Sequence, residues 1–219
     1  MPHTYKLTYF LARGRAEHLR YILHQGGQAF EDERIHPKDW PARKASTPMG
    51  FLPVLQIDDK TEITQHLVIG QFLAAELGLA GRDHLEASRV FMLAHGVADN
   101  FNAFVAKEYN QYIMPFFGRQ DLAKGDAVWR LEIKDQIWKP FCERYNNFLQ
   151  QNGGTWLVGD RVSWADLYLA SWADCVVKCC DPQALDPWPL LQAHCKRVHE
   201  LPNIKKYVAT RPKPYEKDW

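Results

Sequence analysis

The chain has 219 residues, 46% hydrophobic and 24% charged, a balance that excludes wholesale disorder and allows one large domain or two small ones. Its 27 Lys and Arg against 26 Asp and Glu leave a formal charge of +1, so no broad basic field draws nucleic acid. No apolar run approaches the ~18 residues of a membrane span, and Met1–Lys6 lacks a signal-like apolar region, so the cytosol is the expected compartment.

The first eighty residues change period repeatedly. Tyr5, Leu7 and Tyr9 alternate with Lys6, Thr8 and Phe10, which predicts a strand. After Arg13-Gly14-Arg15, the apolar set Ala16, Leu19, Tyr21, Ile22 and Leu23 predicts a helix that Gly26-Gly27 ends. Phe30–Ile35 reads as a weaker strand with its charges facing water. Pro53–Ile57 is a third strand, and Asp58-Asp59-Lys60 turns it into Thr61-Glu62-Ile63. Helical spacing returns from Gln65 to Leu77 through Ile69, Phe72, Leu73 and Leu77, with Gly78 as the stop. A β-α-β unit followed by a hairpin and a closing helix implies a small mixed sheet covered by helices.

Beyond Ala80-Gly81 the strand signals stop. A long helix is predicted over 86–112, burying Val90, Leu93, Val97, Phe101, Phe104 and Val105. A second runs over 127–149, with Pro140 as the expected point of a kink. Ser163-Trp164-Ala165-Asp166 has the spacing of a capping box, with Asp in place of the usual Glu, and opens a third helix to Val177. Pro187 and Pro189 precede a fourth, Leu190–His199, and the chain after Pro202 reads either as an ordered lid or as a loose tail. The expected architecture is α/β over 1–80 followed by an all-α domain over 81–219.

The five cysteines, Cys142, Cys175, Cys179, Cys180 and Cys195, lie in the second half. Cys175, Cys179, His194 and His199 approach a two-Cys, two-His zinc spacing, but the first pair falls in a helical pattern without the hairpin of a zinc finger. Reduced thiols packing as small hydrophobes are expected, and no metal.

Several segments together carry a resemblance. Tyr5–Phe10 followed by Arg13–Glu17, then Phe30–Ile35, Asp39-Trp40-Pro41, Leu52–Leu55, Trp156–Asp160 and Ser163–Asp166 resemble, in order, the sigma-class cytosolic glutathione transferases. That class includes glutathione-conjugating enzymes, glutathione-dependent prostaglandin D synthase and the lens S-crystallins. The resemblance implies a thioredoxin-like domain holding glutathione, a helical domain shaping the pocket for a hydrophobic second substrate, and a homodimer. It places catalysis on Tyr9, with Arg15 assisting the thiolate. It places glutathione on Trp40, Lys44, Leu52, a cis Pro53, Gln65 and the residue after it, with Asp99 reaching across the dimer to the ligand's amino group.

The chemistry can be reasoned independently. Glutathione's thiol is mostly protonated at neutral pH, whereas its thiolate is the stronger nucleophile. A hydrogen-bond donor placed at the sulfur favours the anion, and a phenol can donate without ionising. Tyr9 ends a strand just before a loop and helix, where open α/β sheets present ligands. From pattern alone it would be a packing residue, and the family match reverses that reading.

One departure stands out: the family's Gln-Ser is Gln65-His66 here. An imidazole either replaces the lost hydroxyl hydrogen bond to the γ-glutamyl carboxylate or fills its space, and losing such a bond costs roughly 1.5–3 kcal/mol. Gln71 stands where the family commonly has Arg. Phe10, Phe101, Tyr168 and Trp172, closed by Trp219, are the expected apolar wall for the second substrate. Three readings follow: a conjugating transferase, a glutathione-dependent prostaglandin D isomerase, and a non-catalytic ligand-binding or crystallin-like protein with a weakened glutathione site.

Overall fold

The computed structural model describes residues 3–108 and 129–212. Strand β1 (Tyr5–Phe10) shows the buried–half-buried alternation that its period-two pattern predicts. A 3₁₀ turn at Gly14–Ala16 leads into α1 (Glu17–Gln25), which is followed by β2 (Glu31–Ile35), the short α2 (Trp40–Arg43), β3 (Val54–Ile57), β4 (Thr61–Thr64) and α3 (His66–Glu76). The sheet order is β2-β1-β3-β4. β1 pairs in parallel with β2 and antiparallel with β3, and β3 pairs antiparallel with β4. The mixed sheet is therefore the one expected from the β-α-β unit and the hairpin.

Helix α1 is buried on more than its apolar stripe. Arg20 is wholly buried, donating to Glu17 and Asp32 and to the Ala12 carbonyl. This corrects the expectation that the charges of β2 face water. Asp32 also accepts from Arg34, and Glu33 accepts a fork of hydrogen bonds from Arg43 at 2.9 and 3.0 Å and another from Thr8 Oγ1 at 2.8 Å. Among the four charged residues of that strand, only Glu31 is exposed. Buried charge persists where each group has a partner.

The helical half begins with α4 (His84–Glu108). Its expected stripe is real: Val90, Leu93, Val97 and Phe104 are buried, and Phe101 and Val105 are half-buried. The helix expected over 127–149 is divided. A π-helical segment at Trp129–Trp138 runs directly into α5 (Lys139–Gln151), and Pro140 stands where the helix changes type. Proline has no N–H to donate to the turn before it, which fits a change of helix type at this point.

Helix α6 (Trp164–Cys179) starts as the capping-box pattern requires. Asp166 accepts from the Ser163 N–H at 2.8 Å, and the same buried carboxylate accepts from the Leu157 N–H and pairs with His194, each at 2.8 Å. α7 (Pro189–Glu200) and α8 (Pro202–Thr210) complete the described chain. α8 is neither loose nor peripheral: Ile204 and Tyr207 are buried, and the Tyr207 hydroxyl donates to Glu17 of α1. α1 packs on both α3 and α6, joining the sheet half to the helical half. No helix among the described residues is long and apolar enough to cross a membrane.

Candidate functional site

At the end of β1 a cleft of about 580 Å³ opens between the sheet half and helices α4 and α6. Tyr9, Phe10 and the loop Ala12–Arg15 form its floor, Trp40, Lys44 and Leu52 one side, and Phe101, Phe104, Tyr168 and Trp172 the other. The volume is within the range of small-molecule sites.

Tyr9 is only 6% exposed, as its place on the inward face of β1 dictates. Its hydroxyl oxygen accepts the backbone N–H of Arg15 at 3.2 Å. Gly14 permits that approach: it has φ +40°, and a Cβ there would stand 2.6 Å from the Tyr9 hydroxyl. Burial pushes the Tyr9 pKa up, against the smaller opposing effects of the Arg15 N–H and charge. The group is thus a neutral phenol at physiological pH, with one lone pair engaged and its proton available.

Arg15 Nη1 lies 3.2 Å from Nε2 of His66, and its guanidinium sits 5.1 Å over the ring of Phe101. His66, the first residue of α3, is 6% exposed. Its ring meets those of His18 and Tyr168 edge to face, and the His66 carbonyl lies 3.4 Å from His18 Nε2. Burial first, then the charges of Arg15 and His95, lower its pKa to about 3. A neutral ring beside an arginine must offer its Nε2 lone pair, which places the proton on Nδ1, a buried atom without a partner. Gln65, immediately before, holds φ +72° and makes no side-chain cap to the helix. A non-glycine residue in that region is a departure of the kind that collects at ligand sites.

The remaining sequence-named residues divide. The Leu52-Pro53 bond is cis and Leu52 lines the cleft. Trp40 packs edge to face on Phe10, and Lys44 is exposed at the rim. Trp172 donates from its indole to Asn100 at 2.8 Å. Tyr168 stacks on His18 at 3.9 Å and leaves its buried hydroxyl without a partner. Pro53, Gln65 and His66 do not line the cleft themselves; His66 reaches it through Arg15. Asp99 is 69% exposed, beside His95 at 3.5 Å, and does not line the cleft of this chain. Trp219 lies outside the described residues. Gln71 is exposed on α3.

Sequence reasoning missed Arg13, Phe51, Cys175 and Cys179 as cleft residues, and took Phe104 and Val105 only as helix core. The i, i+4 spacing of Cys175 and Cys179 was visible, but nothing in it says which face of α6 meets the cleft. Among the described residues there is no cluster of three or more His, Cys, Asp or Glu side chains able to hold a metal.

The family described as glutathione S-transferase, C-terminal domain, matches residues 107–211. Glutathione S-transferase 1 of Ascaris suum is 36% identical, over 98% of this chain and all of its own. Among solved structures, a nu-class enzyme from Haemonchus contortus is 32% identical with a TM-score of 0.78, over 98% of this chain and 100% of that one. The monomeric Na-GST-3 of Necator americanus is 33% identical with a TM-score of 0.81, over 99% and 100%. Rat hPGDS complexed with a quinoline is 29% identical with a TM-score of 0.81, over 95% and 98%. Identity above one third that runs nearly end to end through both sequences, carried on a shared fold, makes this chain a member of the glutathione S-transferase family and a glutathione transferase.

Proposed function

We propose that this transferase activates glutathione through the Tyr9 phenol and directs the resulting thiolate at a hydrophobic electrophile. The observation that carries the reading is the Tyr9–Arg15 bond: the Arg15 N–H occupies one side of the hydroxyl oxygen and leaves its proton to donate into the cleft. A thiol bound there loses its proton to solvent, and the anion left behind accepts the Tyr9 hydrogen bond. The Arg15 guanidinium adds a fixed positive charge. The sulfur then attacks the electrophile held against Phe10, Phe101, Tyr168 and Trp172, and the leaving group departs or the addition is completed by a proton.

In this reading Trp40 and Lys44 hold the glycine end of the tripeptide, and Leu52 beside Pro53 pairs with its backbone. The γ-glutamyl carboxylate sits at the start of α3, where the first N–H groups meet no side-chain cap and the helix dipole favours an anion. His66 preserves this site rather than filling it, because its ring is turned inward against His18, Tyr168 and Arg15. The sigma class, a cytoplasmic detoxifying role, a division at 80/81 and a homodimer complete the proposal, with Asp99 acting across the dimer. Exposed Met49, Phe51 and Met92 are apolar surface of the kind such a contact would cover.

The similarity to rat hPGDS favours a second reading, in which glutathione serves as cofactor for prostaglandin D isomerisation. Calorimetric titration with glutathione, combined with turnover of an aryl halide and of a prostaglandin endoperoxide, tests all of this. Binding with aryl-halide conjugation supports the first reading. Endoperoxide turnover alone supports the second, and absence of both binding and turnover refutes them.

A further inference from the structure

Helix α6 brings a second nucleophile to the cleft. Cys175 and Cys179 stand one turn apart and both line it, the first 5% exposed and the second exposed at the end of the helix. Neither has a part in the chemistry assigned to Tyr9. Three cations converge beside them on the single carboxylate of Asp174: Arg13 Nη1 at 3.2 Å, Lys178 Nζ at 2.7 Å and Arg211 Nη2 at 2.8 Å. Arg13 and Lys178 line the same cleft, and Arg13 Nε is buried with no acceptor. Arg211 is shared with Glu17 at 2.7 Å, so Arg13 and Lys178 are the two cations that Asp174 alone answers, which leaves this end of the cleft electropositive.

An accessible thiol in such surroundings is the reactive kind, whereas a thiol sealed in apolar packing is inert. Cys179 is held below the ordinary cysteine pKa by a hydrogen bond from Cys175, then by the charges of Arg13 and Lys178, against burial and Asp174. The other four cysteines all shift the opposite way. Burial pushes Cys142, Cys175 and Cys180 up, and Cys195 to about 12.

We propose that Cys179 is a covalent modification site, alkylated by hydrophobic α,β-unsaturated carbonyl compounds that enter the cleft, in competition with glutathione. The inference rests on the reading of this cleft as the electrophile site. In the step itself, the thiol gives its proton to solvent and the sulfur forms a bond to the β-carbon of the enal. The π electrons move to the carbonyl oxygen as an enolate, which takes a proton at the α-carbon. Nothing leaves, and no oxidant takes part. The adduct narrows the cleft, so the enzyme would limit its own turnover when glutathione is scarce.

The test uses the full-length protein with trans-2-nonenal at pH 7, without glutathione, followed by peptide mass spectrometry at each of the five cysteines. Cys179 is expected to be modified at least about tenfold faster than any other. Lys178→Gln, at an exposed position, should slow it about two- to fivefold by removing one of the cations. Equal labelling of all cysteines, faster labelling of Cys180, or an unmodified Cys179 would overturn the proposal. Aryl-halide turnover is read in parallel: turnover without a Cys179 adduct defeats this inference alone, and an adduct without turnover defeats only the transferase mechanism.

Discussion

Arg15 Nη1 lies 3.2 Å from His66 Nε2, so a guanidinium donates to an imidazole that burial keeps neutral. The sequence departure at His66 therefore acts on a residue fifty-one positions earlier. The ring holds Arg15 against Phe101, beside the loop whose backbone bonds Tyr9.

Removing that acceptor should loosen Arg15. His66→Ala is expected to lower kcat/KM for aryl-halide conjugation about tenfold, since a hydrogen bond to a charged group contributes roughly 1.5–3 kcal/mol. Steady-state kinetics check this, and an unchanged value would mean that the pair does not position Arg15.

The same ring makes stability depend on pH. Its ordinary value of 6.5 falls to about 3 in the folded protein, and His18 beside it is lowered as well. Between those limits the unfolded chain binds protons that the folded chain does not, so stability is full above about pH 6.5 and is lost as the pH falls toward 3. From pH 6.5 to 5, His66 alone accounts for about 1.6 kcal/mol. Urea unfolding at the two pH values measures the loss, and His66→Ser should reduce it.

Tyr9→Phe removes the donor and keeps the ring. Conjugation should fall roughly tenfold or more while glutathione affinity by calorimetry stays largely intact. Equal turnover by the variant would reject the assigned role.

Gly14→Ala tests the loop that brings the Arg15 N–H to Tyr9. At φ +40°, with its Cβ 2.6 Å from the Tyr9 hydroxyl, the alanine is both strained and in contact with the phenol. A loss of about 1–3 kcal/mol in unfolding free energy is expected, together with reduced kcat.

Asp166→Ala removes one buried carboxylate from the Ser163 and Leu157 N–H groups and from His194. Chemical denaturation should show a loss of about 3–5 kcal/mol, because the partners remain buried and unpaired.

Much of the fold was legible locally. Alternation of Tyr5, Leu7 and Tyr9 announced β1, Asp58-Asp59 announced the hairpin, and Ser163 with Asp166 announced the start of α6. Helix α2 escaped because four residues with a proline in the first turn display no period, and the π-helical segment escaped because its spacing is close to that of an α-helix. Of the site, the ordered motifs pointed to Tyr9, Arg15, Trp40 and Lys44, all of which the structure brings to one cleft.

By itself the sequence determined which segments pair or coil, and that a phenol ends the first strand, because side-chain period and turn chemistry are properties of neighbours along the chain. Only the tertiary structure decided that the charges of β2 are paired, that His66 serves Arg15, and that Cys179 stands among cations in the cleft. Hydrogen bonds and short-range electrostatics act over a few ångströms of space, and those distances are set by how the elements pack, not by how far apart the residues lie in sequence.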